Sequence, residues 1–153
     1  MFRYAAARAA SFHHAYAARG LVPAGDAVEF VSMTEATGYE TAMRRLGGTT
    51  RPTAFICGSV FQARGIYRAV AACRLEVGRD ISVVAHDDGV RGCNPAEFSP
   101  PLTTTFTPIR SAGEVLARIL IDLIEGKVPG PVRSILPFDL ILRGSVALAG
   151  RSP

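Results

Sequence analysis

His86, Asp87 and Asp88 stand side by side directly after Ile81 to Ala85, a run suited to a buried strand. An imidazole next to a carboxylate is a pairing used for acid–base work. Adjacent carboxylates are acceptor-only groups, each able to take several donors, such as the hydroxyls of a ligand. Neighbours in a strand point to opposite faces, so His86 and Asp87 do not form a ready dyad. His86 therefore reads as a partly buried histidine. The acids read either as a strand-end pair that caps a turn or as groups facing a ligand.

Other chemistry-bearing residues fall short of a site. Cys57, Cys73 and Cys93 are odd in number and widely spaced, which fits neither a disulfide framework nor a zinc pattern. Reduced thiols in a cytoplasmic protein are the plain inference. Cys57 reads as a core residue and His13-His14 as helix surface. Gly58 to Gly65 lacks the Gly-Lys-Ser of a phosphate loop, and no nucleophile elbow, metal cluster or dinucleotide loop accompanies the acids. No cofactor, no metal and no catalysis are expected.

Seventeen basic residues against 13 acidic ones give a formal charge of +4. The arginines are scattered, and Arg44-Arg45 is the only adjacent pair. A nucleic-acid surface clusters its charge, so a solvated Arg-rich surface is expected rather than a DNA groove. A hydrophobic content of 48% over 153 residues suffices for one domain or two small lobes. The most apolar segment, Val115 to Ile124, is too short and too charged to span a membrane. The alanine-rich N-terminus, broken by Arg3, Arg8 and His13, is not a signal-peptide core.

The elements that must position the acids follow from periodicity. Ala-rich sequence with Phe12 and Tyr16 one turn apart reads as a helix stopped by Gly20. "AVEFVSM" reads as a strand with Val28, Phe30 and Ser32 on one face. A helix capped by Thr34 or Thr37 follows and ends at Gly47-Gly48. "RPTAFIC" is a strand, Val60 to about Val77 a helix, "DISVVA" a strand and "CNPAEFSPPL" a Pro-rich loop. "LTTTF" is a short strand, and an amphipathic helix follows with Val115, Leu116, Ile119, Leu120 and Leu123 on one face. "ILPFDLILRGS" closes as a strand or two short ones. Strands alternating with helices predict an α/β fold with a mainly parallel sheet, in which ligands bind beyond the carboxyl ends of the strands. Asp87 and Asp88 sit at such an end.

"RAASF", "RPTAFICGS", "DISVVAHDD", "SPPLTTTFTPI", "RILIDLIEG" and "ILPFDLILRGS" occur in one order over nearly the whole chain, from about Arg8 to Ser145. Their ordered sum resembles the effector-binding domain of the LacI/GalR family of transcriptional regulators. The resemblance implies a periplasmic-binding-protein-like fold, mostly its C-terminal lobe, without the first lobe or the DNA-binding domain. By that template residues 1–100 form the C-terminal lobe, 101–127 a strand and helix of the N-terminal lobe, and 128–153 the return.

The same resemblance implies effector-binding residues. Arg8 stands where the family's effector-contacting arginine stands, and a guanidinium offers a fork of donors to sugar hydroxyls or a carboxylate. Asp87 stands at the first acid of the Asp-Asp pair, Asp88 at the loop-supporting second. Met33 falls where some members place a stacking aromatic, and Ser59 replaces an asparagine that touches the effector. Ser59-Val60 in place of Asn-Asp, Ala85-His86 in place of Gly-Phe or Gly-Tyr, and Thr107 in place of glutamine imply an altered pocket.

The implied function is sensing of a sugar or related small metabolite by a transcriptional repressor, as a homodimer, with DNA bound only through a helix-turn-helix domain absent from this chain. The template also has a central strand just before Arg8. A truncated piece lacking it is expected to leave an unpaired edge, open to strand exchange with a second copy. The alternatives are a solute-binding protein of a sugar transporter, which shares the fold, and an α/β enzyme using His86, Asp87 and Asp88.

Overall fold

The computed structural model describes residues 3–147, with Arg3 described in its backbone only, and divides the chain into two compact units, Met1–Ser32 and Met33–Pro153. The first unit contains helix α1, Arg3–Ala17. Alanine loses no side-chain freedom in a helix, and Phe12 and Tyr16 meet with ring centroids 4.7 Å apart. Gly20 ends the helical path at φ +67° while Leu21 N–H bonds back to Tyr16 O. The expected strand over 27–33 does not form: residues 28–32 carry no ladder, and Phe30 and Val31 are exposed. A β-rich run is a strand only when a neighbour accepts its hydrogen bonds.

The second unit is an α/β layer. It contains α2 (Glu35–Leu46), β1 (Ala54–Cys57), α3 (Val60–Ala72), β2 (Ser82–Asp87), β3 (Thr103–Phe106), α4 (Ile109–Ile124) and β4 (Asp139–Ile141). The sheet order is β1-β2-β3-β4. The first three strands run parallel and β4 is antiparallel to β3. A mainly parallel sheet with helices is therefore what forms, with one antiparallel strand at its rim. β3 is hydrogen-bonded in register to β2, Val84 to Thr103 through Asp87 to Phe106.

One face of the sheet carries the core. Val83, Ala85, Cys57 and Ile81 pack with Val60, Ala63, Ile66, Ala69 and Val70 of α3 and with Ala42 and Leu46 of α2. Removing each of the larger side chains from water contributes about 1.5–3 kcal/mol. The two helices approach until only glycine fits at the crossing. A Cβ on Gly65 would lie 2.0 Å from Glu35 O, and one on Gly38 would lie 2.2 Å from Gln62 O. Both helices are capped: the Thr34 and Thr37 side chains form a reciprocal box at α2, and Ser59 Oγ accepts Phe61 N–H at α3.

α3 stops at Ala72, short of the expected Val77, because Arg74 takes a left-handed backbone (φ +59°). The chain closes through Ser145, which is fully buried. Its hydroxyl donates to Val83 O (2.6 Å) and accepts from Thr103 N–H (2.8 Å). The opposite side of β1 is bare, with Ile56 74% exposed. Among the described residues β1 and β4 are the sheet's edge strands. α4 has no buried residue, and Ile109, Leu116, Leu120, Ile121 and Ile124 are all exposed.

Candidate functional site

Two of the candidate residues lie at or just beyond the carboxyl ends of the neighbouring strands β1 and β2. In the parallel register Cys57 pairs with Ala85. Ser59 lies two residues beyond Cys57, and Asp87 two residues beyond Ala85, so both stand at the same rim of the sheet. β2 does not surface at Ala85 as its sequence suggests. It runs on through His86 to Asp87, with the buried face holding Val83, Ala85 and Asp87.

Asp87 is only 8% exposed. Its Oδ1 accepts the N–H of Gly89 at 2.9 Å, a bond that curls the chain directly after the strand. Gly89 makes that turn at φ +73°, a conformation that glycine adopts without a Cβ penalty. The backbone is pinned as well: Asp87 O accepts Thr107 N–H (3.1 Å) and Asp88 O accepts Ile109 N–H (3.0 Å). The carboxylate is thus held by its own loop, not swung into solvent.

His86 points to the other face, as strand alternation requires. Its Nδ1 is 3.0 Å from Thr105 Oγ1, on the residue directly opposite in β3. His86 and Asp87 therefore do not act on the same ligand atom.

Ser59 serves α3 as N-cap, so its Oγ is already an acceptor from Phe61 N–H (3.2 Å). Its hydroxyl hydrogen and its second lone pair remain for a ligand. The turn that carries it is braced by Gln62, whose Oε1 accepts Gly58 N–H at 3.1 Å. Cys57, immediately before, is core as expected, and burial pushes its thiol up to about 12. Such a thiol is inert at neutral pH.

Met33 lies just before the Thr34 cap of α2 and is 41% exposed. Arg8 belongs to the first unit, on the exposed side of α1, with its guanidinium 5.5 Å from the Tyr4 ring centroid. Asp87 and Ser59 lie at or just beyond the carboxyl ends of two neighbouring parallel strands. Two shallow surface recesses, one lined by Arg64, Asn94, Glu97 and Phe98 and the other by Glu114, Ala117, Arg118 and Ile121, include neither.

Sequence reasoning missed the residues that hold these groups. Gly89, Thr105 and Gln62 shape the rim, yet only Gly89, two after an aspartate, carries a local signal for a turn. No group of three or more possible metal ligands clusters among the described residues. No helix among them is long and apolar enough to cross a membrane.

A parallel layer with polar groups at its carboxyl rim is the architecture of a binding lobe, and comparison with known proteins agrees. The periplasmic binding protein-like domain family matches residues 2–146. The HTH-type transcriptional regulator AglR of Rhizobium meliloti (strain 1021) is 38% identical over 140 residues, covering 91% of this chain and 39% of the relative. The HTH-type transcriptional repressor PurR of Escherichia fergusonii is 39% identical over 111 residues, 72% of this chain and 32% of that one.

Among solved structures, the Lac repressor dimer bound to operator and the anti-inducer ONPF superimposes with a TM-score of 0.79 at 28% identity, over 92% of this chain and 47% of the other. A complex of the transcriptional regulator CelR with cellobiose gives 0.78 at 26% identity, over 88% of this chain and 40% of that one. The chain belongs to the periplasmic-binding-protein-like effector domains of LacI-type transcriptional regulators. It spans about two fifths of the length of the first of these relatives, and those relatives are regulators rather than enzymes.

Proposed function

We propose that this chain is the sensing region of a cytoplasmic LacI-type repressor whose effector is a sugar or a related small metabolite. The observation that carries the reading is the position of Asp87 at the carboxyl end of β2, with Ser59 just beyond the carboxyl end of the adjacent parallel strand β1. A carboxylate there accepts hydroxyl donors, and a serine with one lone pair in a helix cap can still donate its O–H. A polyhydroxylated ligand offers both partners. Met33 adds an apolar contact in the same proposal.

Regulation follows from differential binding. An effector that prefers one arrangement of two lobes shifts the population toward it, and the shift changes the affinity of a helix-turn-helix domain attached elsewhere in the longer protein. In this reading α4 belongs to the N-terminal lobe, which covers its apolar face, and the working unit is a homodimer.

A thermal-shift screen of the chain against sugars, cellobiose among them, tests the site, with Asp87→Ala and Asp87→Asn each referred to their own ligand-free melting temperature. The expected result is a ligand that raises the parent's melting temperature and leaves the Asp87→Ala shift near zero. A ligand that stabilises parent and Asp87→Ala equally sinks the assignment of Asp87.

A further inference from the structure

We draw no further inference here: the strongest candidate, the exposed apolar face of α4 running through Leu116, Leu120 and Ile124, is an unpartnered helix face and nothing in the structure shows what covers it.

Discussion

The α2–α3 pair and α4 are built from similar residues and end in opposite states. α2 and α3 close around Ala42, Leu46, Ala63 and Ile66 until glycine is the only residue that fits at their crossing. α4 is the more apolar helix by sequence, yet it buries none of its residues. Amphipathic patterning therefore states that a face is to be covered; it does not state by what. The buried core lies with the first pair, and α4 presents an exposed apolar face.

Paired substitutions sharpen this contrast. Leu46 is 1% exposed and Leu120 58%. Leu46→Ala is expected to cost about 2–5 kcal/mol in urea unfolding, from lost burial plus the cavity left behind. Leu120→Ala is expected to cost less than about 0.5 kcal/mol in the same assay. Equal losses would mean that α4 is packed in solution and the contrast is false.

Glycines give a second pair, somewhat smaller in effect. Gly65→Ala places a methyl against Glu35 O and Tyr39 N, both backbone, so the helices must part at a cost of about 1–3 kcal/mol. Gly113→Ala on α4 meets nothing within 4 Å and is expected to stabilise by about 0.5–1 kcal/mol through helix propensity. Denaturant midpoints of the two variants should move in opposite directions.

A pH titration probes the sealed side alone. Burial raises Cys57 to about 12, and it raises Tyr67, whose hydroxyl donates to Pro100 O (2.9 Å), to about 12 as well. In the unfolded chain these groups ionise near their ordinary values of 9.0 and 10.0. The unfolded state thus loses protons first, and stability that is full below pH 9 falls as pH rises toward 12. Each group contributes up to about 1.4 kcal/mol per pH unit across its own window. Cys57→Ala should flatten the part of this alkaline decline that begins near pH 9. An unchanged slope between pH 9 and 10 would show that the thiol is not sealed.

The smallest expected effect lies where α3 ends. Arg74 holds φ +59°, and Arg74→Gly should stabilise by about 0.5–1 kcal/mol, read from the thermal midpoint. A loss instead would mean that the arginine side chain contributes more than its backbone costs.

Much of the fold was legible because strands and helices announce themselves locally. Ala54–Cys57, Ser82–Asp87 and Thr103–Phe106 are β-branched or apolar runs between turn residues, and each forms a strand. What was not legible is partnership. The run from Val28 to Ser32 has the same composition and carries no ladder. Thr103–Phe106 was recognisable as a strand, but its place beside β2 depends on residues about 20 positions away. α3 stops at Ala72, two residues before a left-handed Arg74, where the sequence has no glycine to mark the end.

The site divides the same way. Asp87 stood out because an acid directly after an apolar run lies at a strand's carboxyl end. Thr105, which bonds His86 from 19 residues away, and Gln62, which braces Gly58, acquire meaning only once the chain is folded.

Ser145 has a consequence for how the protein is made. Its hydroxyl bridges Val83 and Thr103, residues 62 and 42 positions earlier in the chain. Contacts of such separation carry a loop-closure cost and form late. A ribosome that has completed β1, β2 and β3 still holds a nascent chain in which Val83 O and Thr103 N lack this partner. The layer is sealed only when residue 145 clears the exit tunnel, so the N-terminal starts of β2 and β3, at the opposite end of the strands from Asp87, are the last to reach their final bonding.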